Sequence, residues 1–159
     1  MVYGSSGSPL QLDEGYELLT GGYERTVDEK GRIVLPAGPW RDAFGGRAWI
    51  GPYKGQSLAL WTARSFAAAL TKIAEQETAR ALPDGAIEAF RQANPTVTID
   101  AQGRLTLPPP LRELRGIGAQ GSMVFIEGQG DRLEIRRLDA ATRLTAAELD
   151  AVLDLFDHR

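Results

Sequence analysis

The chain has 159 residues, 43% apolar and 25% charged, enough for a well-buried core, and no apolar run approaches membrane-spanning length. It has no cysteine and one histidine, His158, so disulfides, thiol catalysis and thiolate zinc sites are excluded, and histidine general-base chemistry has no basis. A formal net charge of −3 argues against a surface that is basic overall, so any contact with nucleic acid has to be made by a local basic face.

Residues 1–20, with Gly4-Ser5-Ser6-Gly7-Ser8-Pro9 and then Asp13, Glu14 and Glu17, read as a flexible leader or as an overextended start. They lack the basic and apolar regions of a secretory signal. Residues 21–66 form a first unit. The alternating Tyr23-Glu24-Arg25-Thr26-Val27 predicts a strand, Asp28-Glu29-Lys30-Gly31-Arg32 a tight turn, and Ile33-Val34-Leu35 a second strand closed by Pro36. Pro39 opens a short helix carrying Arg41, and two apolar strands around Gly51 to Gly55 predict a hairpin.

A helical insert over 67–94 follows, with Phe66, Ala69, Leu70, Ile73 and Ala74 on one face and a break at Pro83-Asp84. Residues 95–138 then repeat the first unit. Pro95-Thr96-Val97-Thr98-Ile99 precedes Asp100-Ala101-Gln102-Gly103-Arg104, then Leu105-Thr106-Leu107-Pro108, a Pro-started helix with Arg112, and a hairpin turning at Gly128-Gln129-Gly130. Residues 139–159 end in a helix, in which Thr145 and Glu148 form a capping-box signature and Leu149, Val152, Leu153 and Phe156 an apolar stripe.

The repeated turn carries the chemistry. An aspartate ending a strand accepts hydrogen bonds from amides two or more residues on, and glycine supplies the positive φ that such a turn demands. An arginine four positions after the aspartate comes within pairing reach, which fixes its guanidinium. One such turn is ordinarily a turn former with a surface ion pair. Two at matched positions, each followed by strand, proline, helix and arginine, point to a duplicated unit that presents an arginine twice.

Gly21 to Arg32, together with Asp100-x-x-Gly103-Arg104, resembles the MraZ family of the AbrB-like, swapped-hairpin superfamily, with the likeness running from about Leu18 to Leu138. The resemblance implies an α+β fold in which two repeats interlock into one double-split β-barrel, with the helical insert and the C-terminal helix attached. It further implies a cytoplasmic, nucleoid-associated homo-oligomeric ring that binds short direct repeats in double-stranded DNA and controls division and cell-wall genes, with no cofactor, catalysis or membrane contact. Carried over residue by residue, it assigns DNA contact to Arg32, Lys30, Arg25, Arg41, Arg104 and Arg112. Asp28, Gly31, Asp100 and Gly103 support the turns. Gln102 stands where the first motif has Lys30, and Pro108-Pro109-Pro110 is stiffer than the first repeat.

Other motifs read as structure. Gly128-x-Gly130 lacks a third glycine and a following helix, so it is a turn and not a nucleotide loop. Trp40, Trp49 and Trp61 fall inside predicted elements and read as core. Carboxylate pairs such as Glu75/Glu77 and Asp154/Asp157 have no partner base or metal triad, and no enzyme is implied. The rival to a DNA-binding regulator is a ring-shaped protein-interaction scaffold that has lost DNA binding and works through its acidic terminal helix and leader.

Overall fold

A computed structural model describes residues 19–118, 121–138 and 144–157. The predicted leader up to residue 18 and His158 lie outside the described residues. Among the latter, eight strands and five α-helices alternate: β1 (Gly22–Thr26), β2 (Arg32–Val34), α1 (Pro39–Phe44), β3 (Arg47–Pro52), β4 (Leu58–Trp61), α2 (Ala63–Thr78), α3 (Ala86–Ala93), β5 (Thr96–Thr98), β6 (Arg104–Thr106), α4 (Pro109–Leu114), β7 (Met123–Gly128), β8 (Arg132–Arg137) and α5 (Ala146–Leu153). The fold is α+β with antiparallel pairing throughout.

Strands of the two repeats exchange partners. The order in the larger sheet is β1-β7-β8-β4-β3-β5, and β2 pairs with β6 in a separate two-stranded ladder. β1 of the first repeat therefore lies on β7 of the second, while β5 of the second lies on β3 of the first. Replacing each strand by its counterpart in the other repeat returns the same order read backwards. The duplication is thus expressed as an approximate two-fold.

The expected barrel is not seen as one closed ladder, since among the described residues the hydrogen bonds define an open six-stranded sheet and a detached pair. The reason is local: β2 and β6 are three residues each, bounded by a turn on one side and by Pro36 or Pro108 on the other. Side chains join the two sheets instead. Ile33, Leu35, Leu105 and Leu107 are fully buried in the same core as Val27, Ile50, Leu60, Val124, Ile126, Leu133 and Ile135.

That core begins earlier than the leader boundary suggests. Leu19 is buried, exchanges backbone hydrogen bonds with Gly130, and leaves Thr20 to accept from the Trp40 indole at 2.8 Å. On the outer side of β3 and β4, Ala59 and Trp61 turn away from the main core and meet Phe66, Leu70 and Phe90 of the insert. Trp49 stacks on Phe66 with centroids 5.3 Å apart, so α2 and α3 are held by an aromatic cluster of their own. Glu77 ties them together by accepting from the Gly85 and Ile87 amides at the start of α3.

Interlocked pairing leaves neither repeat a complete set of strand partners. Ile33→Ala, which empties a fully buried site at the two-fold, is expected to cost about 2–5 kcal/mol. Unfolding followed by tryptophan fluorescence and by far-ultraviolet dichroism should remain one coincident transition. Separate transitions for the two repeats would contradict the interlock.

Candidate nucleic-acid interface

The β2–β6 ladder brings the two repeated motifs onto one surface. Ile33 faces Leu105 at its centre, Arg32 lies opposite Thr106, and Arg104 opposite Val34. Side chains alternate along a strand, so burial of Ile33 and Leu105 turns Arg32, Val34, Arg104 and Thr106 to the other face. Val34 and Thr106 are exposed there. The arginines occupy diagonal corners, with Cα atoms roughly 7–8 Å apart by ladder geometry.

Each corner is built by an aspartate. The Asp28 Oδ1 accepts from the Lys30 and Arg32 amides at 2.9 and 2.8 Å, and Oδ2 accepts from Arg32 Nε at 2.8 Å. Asp100 repeats this with the Gln102 and Arg104 amides at 3.0 and 2.9 Å and Arg104 Nε at 2.7 Å. Gly31 and Gly103 complete the turns at φ 77° and 83°, where a side chain would be strained. The arginines are fixed by Nε alone at their aspartates. Both Nη groups of Arg32 lack a hydrogen-bond partner among the described residues, whereas Arg104 Nη2 also donates to Gln102 Oε1 at 3.2 Å.

The aspartates stay ionised. Hydrogen bonds from the Arg32 and Arg104 amides have the largest effect; desolvation opposes them, and with help from those guanidiniums and the Lys30 and Gln102 amides both carboxyls are held below the usual carboxylate range. Each Asp–Arg pair is therefore neutral as a unit. Lys30, whose exposed ammonium has no ion pair among the described residues, and Arg25 at the margin add positive charge to this face, beside the carboxylates of Glu29 and Glu24. Arg25 bridges the sheets, donating from Nε to the Val34 carbonyl and from Nη1 to its neighbour Glu24's carbonyl, both at 2.9 Å. Val97 takes its place in the second repeat, so the two-fold is broken in charge.

Arg41 and Arg112 are placed differently from the other assigned arginines. Both are half-buried behind the turns, where Arg41 Nη2 donates to the Leu35 carbonyl at 2.6 Å and Arg112 Nε to that of Leu107 at 3.2 Å. The sequence reading did not single out Val34 and Thr106 as part of the face or Gln102 as a partner of Arg104. Period-two alternation from Ile33 and Leu105 was the signal available for the first two; the Gln102 contact depends on a rotamer.

A family model described as "MraZ protein, putative antitoxin-like" matches residues 89–148, which include the second motif. The chain is 34% identical over 123 residues to a protein of Parafrankia sp., covering 74% of this chain and 80% of that one. It is 32% identical over 118 residues to one of Rhodococcus jostii (69% and 79% covered), and 29% identical over 135 residues to one of Thermomicrobium roseum (82% and 92% covered). Each of the three is named "Transcriptional regulator MraZ".

Because both aspartates titrate below their ordinary value of 3.8, they contribute stability that is fully present above that value and lost as pH falls through the folded one. Asp28→Asn/Asp100→Asn should lower Tm at pH 7, and its Tm should fall less steeply than the wild type's below about pH 4. Parallel acid limbs for the two proteins would show that the turn carboxylates do not supply this stability.

Proposed function

The chain belongs to the MraZ family of transcriptional regulators, and on that premise we propose that it is a sequence-specific DNA-binding regulator whose contact surface is the exposed face of the β2–β6 ladder. The observation that carries this reading is the placement of Arg32 and Arg104 on one face, each anchored at Nε by its own aspartate. Held in this way, Arg32 keeps both Nη groups and Arg104 its Nη1 for a phosphate or a guanine edge, and each loses little further entropy on binding. Lys30 adds a mobile point charge suited to phosphate, and Arg25 a second cation at the margin.

In this reading the exchanged strands form the AbrB-like, swapped-hairpin double-split barrel, built from units at 21–66 and 95–138. The protein works as a homo-oligomeric ring in the cytoplasm, associated with the nucleoid. Its targets are short direct repeats upstream of division and cell-wall genes. Charge supports the need for several subunits. With both Asp–Arg pairs neutral, one subunit offers few uncompensated cations, and each phosphate neutralised changes the salt slope by only about −0.9. Linking several such faces makes later contacts effectively intramolecular, so weak single contacts add up to firm binding.

A scaffold without DNA binding has one observation in its favour. On α5 and the 3-10 turn after it, Leu149, Val152, Leu153, Leu155 and Phe156 are exposed, an apolar face suited to protein contact. A ring uses that face equally well, so the arginines decide between the readings.

The deciding experiment is a titration against DNA upstream of the protein's own gene, with one, two or more repeat boxes, at low and moderate salt. Affinity should rise steeply with box number. Arg32→Ala should cost about 1–3 kcal/mol per engaged subunit and so abolish measurable binding. Lys30→Ala should weaken all sequences alike and reduce the salt slope by about one per contact. Unchanged binding by Arg32→Ala, or equal affinity for one box and many, would overturn the reading.

A further inference from the structure

Gly31 and Gly103 are buried although they lie in turns that reach the surface, and each is covered by the other repeat. A Cβ on Gly31 would lie 2.8–3.0 Å from Cζ, Nε and Nη2 of Arg112. Three guanidinium atoms at nearly equal distance mean that the plane lies flat on the glycine. Arg41 covers Gly103 in the same manner and more closely, again through Cζ, Nε and Nη2. Only a glycine leaves room for this packing.

Main-chain bonds close the same cradle. The Leu107 amide donates to the Gly31 carbonyl at 2.9 Å, and the Leu107 carbonyl accepts from Arg112. Correspondingly, the Leu35 amide donates to the Gly103 carbonyl at 2.9 Å, and the Leu35 carbonyl accepts from Arg41. Each turn glycine is therefore gripped by one leucine peptide and one guanidinium of the opposite repeat. Arg41 Nε is buried with no hydrogen-bond partner, so that edge of the guanidinium faces the turn and not solvent.

We propose that Arg41 and Arg112 are positioning residues acting across the repeats: each holds the surface turn of the other repeat and does not itself touch DNA. The inference rests on the reading of those turns as the DNA surface. Arg112 sets the pose of Lys30 and Arg32 through Gly31, and Arg41 sets that of Arg104 through Gly103. A lysine in either place keeps the charge but cannot lie flat on a glycine and donate in a plane.

The test uses Arg112→Lys and Arg41→Lys in the full chain, with hydrogen exchange of the turn amides and DNA titration across salt as readouts. Arg112→Lys should speed exchange within residues 28–32 and leave 100–104 unchanged, and Arg41→Lys should do the reverse. Each should weaken DNA binding about tenfold with the salt slope unaltered. Combined with Lys30→Ala, Arg112→Lys should be non-additive and Arg41→Lys additive. Full affinity in the lysine variants, with a slope reduced by about one in Arg112→Met, would instead make Arg112 a phosphate contact and overturn the proposal. Faster exchange in both turns with either variant would overturn it as general loosening. If the wild type binds no DNA while exchange responds crosswise, the DNA reading fails and the positioning role stands.

Discussion

The pairing of Ile33 with Leu105 holds the surface together. Only three residues of each strand form the ladder, so hydrogen bonds alone would leave it marginal. Its cohesion comes from Ile33, Leu35, Leu105 and Leu107, all withdrawn from water into the core of the larger sheet. Burying those four forces the intervening residues outward and sets the register. A slip of one residue by either strand would bury its arginine and expose its two large apolar side chains. The energy that fixes the fold is thus also what aims the arginines.

Polar chemistry then refines the pose. An ionised aspartate that accepts from two amides and a guanidinium leaves its arginine one free edge. The arrangement also removes the net charge of each motif, which makes the surface selective in geometry and weak in electrostatic pull. Such a surface depends on repetition, whether by the internal two-fold or by the assembly of several chains. The departures from symmetry, Glu24-Arg25 against Thr96-Val97 and Glu29-Lys30 against Ala101-Gln102, place charged groups of both signs in the first repeat where the second has none.

Much of this was legible in the chain. The repeated Asp-x-x-Gly-Arg, its flanking alternation and the proline-started helices located the turns, the strands β1, β2, β5 and β6, and the hairpins of each repeat. Helical spacing of Phe66, Leu70 and Ile73 found the insert, and Thr145 with Glu148 found the cap of α5. The reading that Asp28 and Asp100 pair with their arginines also agrees with the geometry, because an aspartate four residues before an arginine across a glycine turn has few other partners in reach. Leu19 was missed, since the pair Leu18-Leu19 after a polar leader carries no periodic signal.

Turn chemistry, strand polarity and helix caps are local, set by residues within a few positions of one another, and so could be read along the chain. Which strand lies on which was decided only by tertiary structure. β1 and β2 flank one turn yet pair with β7 and β6, because one core is built from the apolar side chains of both repeats. Nor does any local signal place Arg41 over Gly103 or Arg112 over Gly31. Those contacts join residues about 60 and 80 positions apart, and they exist because the two-fold packing brings each helix under the other repeat's turn.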